Sequence, residues 1–340
     1  MKHIVVGNNC VFDKDKMPDV QNTRKDFYPS HIKKVGVRNI EAPIFVWQKD
    51  EKKSIQVHAT FSSYVELTEA SKGVNMSRMG RVIMRLAYEH AHNNISASLL
   101  TMMHDITTQL QSEHQSQTAY VKCKFSYPSW TKVYASNLDT VEYVDVIWET
   151  IATGTELIDL VTLENVGISL CPCSKEMSLL KNNLTDMERC WFSEFESEMP
   201  NSLKLKLNQV GFGAHNQRSH VTVTVQLKPN SESLWFEDLI TITDKSFSAP
   251  IRAILKREDE KVVGELAYLG GFYDDNGYHV SDDGTGPKFV EDIARDAAQQ
   301  LDKLLDVTIT DYTVVTLNDE SIHSRELQAV AVLTAGRNLQ

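Results

Sequence analysis

Residues 219–227 read Ser219-His220-Val221-Thr222-Val223-Thr224-Val225-Gln226-Leu227. Valine recurs at every second position, so one face of a pleated strand is apolar and the other polar, the pattern of a half-buried strand. Working outward, Val161–Leu170, 307–315 and 327–333 also read as extended, while 235–246 and 288–305 read as helices. The first half repeats this order. Residues 54–61 and 63–67 alternate as strands. Met79, Val82, Ile83, Leu86 and Ala87 recur at helical steps within 77–93, with Ser77 placed to cap them. Residues 95–112 read as a second helix (Ala97, Leu100, Met103, Leu110), and 118–126 and 140–151 as strands. Strands, helices and strands, twice over, predict an α+β chain of two tandem modules of about 150 residues each. The expected boundaries are 1–160, with an irregular arm over 1–52, and 161–340. Within that arm Asp19-Val20-Gln21 and Val35-Gly36-Val37-Arg38 read as short extended pieces.

The bulk numbers narrow the partners. The chain has 340 residues, 41% apolar and 24% charged, with a formal net charge of −11. That charge disfavours non-specific binding to nucleic acid or to an anionic membrane surface. The apolar start of the chain is too short for a signal peptide, and no window approaches the roughly 18 apolar residues of a membrane span. Five cysteines, Cys10, Cys123, Cys171, Cys173 and Cys190, are an odd number without a secretory signal, so reduced thiols and a cytoplasmic location are expected.

Two short strings carry chemistry. Cys171-Pro172-Cys173-Ser174-Lys175 follows one predicted strand, and Gly213-Ala214-His215-Asn216-Gln217-Arg218-Ser219 leads into another. A thiolate and a neutral imidazole are suited to holding a catalytic divalent metal. In an extended segment Cys173 points away from the face used by Cys171, so only one of them reaches a given ion easily. Two segments interrupt the pattern. Residues 176–212 carry Trp191, Phe192 and Phe195 among acids, and 270–287 are rich in Gly and Asp, as a mobile loop would be.

These strings join others in a recognisable order: Asp19-Val20-Gln21 with Val35-Gly36-Val37; Lys72-Gly73-Val74-Asn75-Met76-Ser77-Arg78; Leu170 to Glu176; Gly213 to Ser219; Leu255-Lys256-Arg257-Glu258-Asp259-Glu260-Lys261; Pro287-Lys288-Phe289-Val290-Glu291-Asp292; and Asn318-Asp319-Glu320-Ser321-Ile322-His323. In this order the chain resembles the type IB GTP cyclohydrolases, whose modules have the tunnelling fold. The resemblance implies antiparallel sheets with helices packed on one face, open sheet edges that pair between subunits, and a homotetramer. It implies GTP as substrate, with 7,8-dihydroneopterin triphosphate and formate as products. One divalent metal per site is implied, and zinc, manganese and iron(II) all suit the donor set.

Carried over by motif, Cys171, His215 and Glu260 are the implied metal ligands, with Cys171 also in the catalytic set. Glu291 is implied to accept the two N–H donors of the guanine edge, and Glu320 with His323 to form the acid–base pair. Imidazole is the side chain suited to moving protons at neutral pH. The triphosphate needs cations, and Lys72, Arg78, Lys175, Arg218, Lys256 and Arg257 are candidates. Lys175 and Arg218 rank first because they adjoin the ligand strings. The chain departs from the family pattern at Asn75, at Ser324-Arg325 after His323, and in the two long segments. Two other readings stay open: an NADPH-dependent nitrile reductase of the same fold, which needs a nucleophilic Cys but no metal, and a non-catalytic purine-binding relative.

Overall fold

A computed structural model describes residues 3–6, 10–13, 20–23, 28–49, 53–92, 98–180, 213–229, 234–273, 276, 279–282 and 284–335. In chain order the elements are β1 (His3–Val6), β2 (Cys10–Asp13), α1 (Val20–Thr23), β3 (Ile32–Gln48), β4 (Lys53–Leu67), α2 (Met76–His92), α3 (Leu99–His114), β5 (Thr118–Lys132), β6 (Asp139–Thr153), β7 (Glu156–Leu170) and α4 (Pro172–Leu180). Then follow β8 (Asn216–Leu227), α5 (Phe236–Ser246), β9 (Ala249–Pro250), α6 (Arg257–Leu269), β10 (Gly271–Tyr273), β11 (His279–Ser281), α7 (Val290–Leu301), a short 3₁₀ turn (Asp302–Leu304), β12 (Ile309–Asp319) and β13 (Gln328–Thr334). The class is α+β, as expected, with antiparallel sheet and helices.

The chain divides into two compact units. The first comprises Met1–Val46, Gln56–Cys123 and Glu149–Ile158. Its strand segments follow the order β3-β4-β5-β6-β7. Ala59, Phe61, Ser63 and Val65 on β4 are fully buried while the residues between them are half-exposed, so one face of this sheet is covered. Helices α2 and α3 pack on each other and bury Met79, Val82, Ile83, Met103, Ile106 and Leu110. Ser98 caps α3, its Oγ accepting from the Thr101 N–H at 3.2 Å.

The second unit comprises Trp47–Ile55, Lys124–Trp148 and Asp159–Gln340. Here β13-β12-β8-β7 run antiparallel, with β9 also on β7. On β8, Val221, Val223 and Val225 are fully buried, and on β12 so is Val314. Helix α7 packs over β12 and β13, and α5 packs on α7 and β8. Tyr312 ties sheet to helix by donating to Asp302 Oδ1 at 2.7 Å.

Several expectations need correction. Residues 32–48 are not irregular but a 17-residue strand. Its Gly36 is required, because a Cβ there would lie 1.9 Å from the Ser63 carbonyl oxygen. Val20-Gln21 is helical rather than extended, and Asp19 lies outside the described residues. Ser77 lies inside α2 rather than capping it. The runs 54–61 and 63–67 are one strand. Part of 270–287 forms the β10–β11 hairpin. The aromatic stretch within 181–212 lies outside the described residues.

Candidate functional site

The candidate site gathers where β7 ends and β8 begins. Leu170 pairs with Asn216, and one residue further out the Cys171 N–H donates to the His215 carbonyl at 3.1 Å. The two strings are thus adjacent across a strand pair, although 43 residues intervene between Cys171 and His215 in the chain. Pro172 then opens α4, a favoured place for a residue without an N–H. Cys171 acts at this helix start: its carbonyl accepts from the Lys175 N–H at 3.1 Å and its Sγ from the Ser174 N–H at 3.4 Å. The Ser174 hydroxyl accepts in turn from the His215 N–H at 3.4 Å. Cys171 is half-buried and Cys173 exposed.

The loop from β12 to β13 closes over the same end. Ser321 Oγ lies 3.4 Å from His215 Nδ1. Glu320 Oε1 accepts from Gln217 Nε2 at 2.9 Å. His323 is exposed on this loop, its N–H donating to the Glu320 carbonyl at 3.4 Å. Gln217 was not singled out from the sequence for any role. It sits on the buried face of β8 and fixes the orientation of the Glu320 carboxylate.

Glu291 approaches from another element. It is the second residue of α7 and exposed. The start of α7 is held against the end of β7: the Lys288 N–H donates to the Leu170 carbonyl at 3.1 Å, and Ser169 Oγ donates to the Lys288 carbonyl at 3.0 Å. Asn318 Nδ2 on β12 donates to the same Ser169 hydroxyl at 3.0 Å.

The remaining candidates are less concentrated. Helix α6 packs at the same end, where Val262, Val263, Leu266 and Ala267 cluster with Leu170 and Ala214. Glu260, in its first turn, is exposed, and among the described residues no three His, Cys, Asp or Glu side chains stand together as a metal-holding group. The thiol and imidazole therefore fit a soft-to-borderline divalent ion, while the acid ligand is not gathered with them. The Lys175 ammonium donates to the Tyr268 carbonyl at 2.6 Å and lies 4.8 Å from the Tyr268 ring centroid. Arg218 is exposed on β8. Lys256 and Arg257 are exposed at the start of α6. Lys72 and Arg78 belong to the first unit and are both exposed.

A thiol, an imidazole and an oriented carboxylate stand at one sheet end on an α+β frame and make a candidate catalytic centre. Comparison with known proteins makes this specific. The family model for type I GTP cyclohydrolase folE2 matches residues 17–272 and 273–330, and the chain belongs to that family. Curated relatives carry the name GTP cyclohydrolase FolE2. That of Geotalea uraniireducens is 33% identical over 315 residues, covering 92% of each chain. That of Magnetococcus marinus is 31% identical over 323 residues, covering 95% of this chain and 97% of the relative. That of Ruegeria pomeroyi is 30% identical over 324 residues, covering 94% of this chain and 74% of the relative. Among solved structures, a uricase from Bacillus fastidious superposes with a TM-score of 0.47 at 10% identity over 89% of this chain and 93% of that one, too slight a likeness to bear on activity. No helix among the described residues is long and apolar enough to cross a membrane.

Proposed function

We propose that the chain is a GTP cyclohydrolase, converting GTP and water to 7,8-dihydroneopterin triphosphate and formate. The observation that carries the reading is the convergence of Cys171, His215 and the Gln217-held Glu320 at one strand end in a chain of this family. Cys171 and His215 would hold a divalent ion (zinc, manganese or iron(II)), with Glu260 as a third ligand. When bound, such an ion lowers the pKa of water to about 7 and so supplies a nucleophile for carbon 8 of the purine.

The chain's own residues do the rest. Glu291, on an exposed helix start, accepts the ring N–H and exocyclic amine of guanine and so fixes the base. Glu320, oriented by Gln217, pairs with His323, and these two move protons as the ring opens and formate leaves. Arg218, exposed on β8 three residues after His215, is the first choice for a triphosphate oxygen. Lys175 would serve the phosphates only after leaving the Tyr268 carbonyl, and Lys72 and Arg78 would add charge. The working protein is a cytoplasmic homotetramer in which residues 1–160 and 161–340 are the two modules.

The test is direct. Purified chain, reconstituted anaerobically with each metal in turn, should release formate from GTP and form a fluorescent pterin. Cys171→Ala and His215→Ala should lose bound metal, and His323→Ala should keep metal but lose turnover. Gln217→Leu should lower kcat about tenfold, the cost of one lost hydrogen bond to a charged group, with little change in KM. Binding of GTP without formate release in the metal-loaded protein would leave the purine-binding reading standing instead.

A further inference from the structure

Two side-chain contacts join the β12–β13 loop to the start of β8. Pairing with β7 runs on past the strand end to His215, whose carbonyl accepts from the Cys171 N–H at 3.1 Å. His215 and Gln217 are two residues apart on this extended stretch and so share a face. They meet two consecutive residues of the loop. Gln217 Nε2 donates to Glu320 Oε1 at 2.9 Å, and His215 Nδ1 lies 3.4 Å from Ser321 Oγ. The loop is braced by its own backbone. The Glu320 N–H donates to the Leu327 carbonyl at 3.2 Å, and the Leu327 N–H to the Ser324 carbonyl at 2.9 Å. The contact from Gln217 orients a carboxylate, whereas the contact from Ser321 acts on an imidazole ring with two different nitrogens.

A neutral imidazole carries its proton on one nitrogen and a lone pair on the other. The hydrogen bond made by one nitrogen decides which is left for an ion. The backbone contacts of His215 cannot make that choice. Its N–H donates to the Ser174 hydroxyl at 3.4 Å and its carbonyl accepts from Cys171, which sets the main chain beside the thiol and leaves the ring free to turn. The Ser321 contact acts on the ring itself. A serine hydroxyl can donate or accept. Were it the donor, the imidazole proton would sit on Nε2, Nδ1 would be occupied, and neither nitrogen could take an ion. With the hydroxyl as acceptor, Nδ1 carries the proton and Nε2 keeps its lone pair.

We propose that Ser321 is a positioning residue, holding His215 with its proton on Nδ1 so that the imidazole meets a divalent ion through Nε2. This rests on the reading that Cys171 and His215 hold such an ion. Removing the outer partner of a metal-bound imidazole lowers metal affinity about 10–100-fold. The contact is long and Ser321 is exposed, so water can take the place of the hydroxyl and the loss lies at the low end, about tenfold. Ser321 also stands between Glu320 and His323 in the chain, so one loop holds both the imidazole ligand and the pair that moves protons.

The test reads metal affinity and the tautomer, not turnover. The full chain is stripped of metal and titrated with zinc against a chromophoric chelator, with circular dichroism confirming that each variant is folded. Ser321→Ala should bind zinc about tenfold more weakly than the native chain, Ser321→Thr, which keeps the hydroxyl, should restore the affinity, and Ser324→Ala in the same loop should leave it unchanged. Nitrogen NMR of the metal-free chain with isotope-labelled histidine reads the tautomer, the His215 signals being assigned by their loss in His215→Ala. Nδ1 should carry the proton in the native chain, and that preference should weaken in Ser321→Ala. The proposal is overturned if Nε2 carries the proton, or if Ser324→Ala costs as much zinc affinity as Ser321→Ala. It also falls, alone, if His215→Ala loses zinc while Ser321→Ala binds it as tightly as the native chain. Unchanged zinc affinity in His215→Ala would instead overturn the ligand reading and this proposal together, so the two failures are told apart.

Discussion

Replacing Lys288 with Met should cost the second unit about 3–4 kcal/mol, more than any surface charge would. The Lys288 side chain is buried, and its ammonium donates to the Ser246 carbonyl at 2.8 Å, the Lys245 carbonyl at 3.2 Å and the Gly284 carbonyl, and pairs with Asp296 at 2.7 Å. Burial lowers its pKa, and Asp296 opposes that. Met keeps the volume of the stem, so the loss is of hydrogen bonds rather than packing. The Asp296 side chain is 41% exposed, so that pair contributes at most about 1 kcal/mol. The remainder comes from carbonyls left without a donor, at about 1–3 kcal/mol for each one that water cannot reach. Urea denaturation at pH 7 measures the difference, and a fall in Tm of about 10 °C should accompany it. The functional consequence follows from position. Lys288 stands three residues before Glu291 and its side chain ties the start of α7 to the end of α5 through the Lys245 and Ser246 carbonyls, so KM for GTP should rise in the folded variant. A loss below about 1 kcal/mol would refute the reasoning, because it would mean the three carbonyls are solvated.

Gly167→Ala should destabilise by about 2–3 kcal/mol, because a Cβ would lie 2.1 Å from Cγ of the buried Phe247 ring; equilibrium unfolding measures it, and Phe247→Leu should restore part of the loss. Burial pushes the Tyr134 phenol up to about 12, so the folded chain keeps a proton that the unfolded chain releases near about pH 10. Stability should therefore fall as pH rises from 10 to 12, and the fall should be shallower in Tyr134→Phe, read by melting temperatures across that range. Asp259→Asn should lower the melting temperature and leave metal content alone, whereas Glu260→Gln should do the reverse; parallel calorimetry and metal analysis separate them.

The strands that the sequence made legible are those where alternation survives: β8, β4, β5, β6, β12, β13 and the end of β7. Of strand β3 only Val35–Arg38 was read as extended, because its first half is exposed or half-exposed on both faces and Lys33, Lys34 and Asn39 break the period. Helix α6 was missed because it begins inside a run of charges, Lys256 to Lys261, which reads as solvent-facing surface. At the site, Cys171 and His215 were legible because reactive side chains beside a strand end need no tertiary information to be noticed. Gln217 and Lys288 were not. A Gln on a strand or a Lys before a helix carries no local signal, and only the fold shows what their polar ends reach.

The charge run at the head of α6 shows how far that limit extends. Asp259 and Glu260 are neighbours with nearly the same chemistry, and the resemblance to a family favoured the second. The structure buries the first completely. Asp259 accepts from the N–H groups of Ala135 at 3.0 Å and Ser136 at 2.8 Å, from Ser136 Oγ at 2.7 Å, and from the Lys256 N–H at 3.0 Å. Those bonds outweigh the burial that would raise its pKa, and hold it down at about 2. Successive helix residues are turned about 100° apart, so seating Asp259 inward leaves Glu260 on the flank of α6, free of structural duty. A carboxylate that the fold does not consume is the one available for a ligand, and this division of labour between adjacent acids is what makes Glu260 the better candidate of the two for metal chemistry.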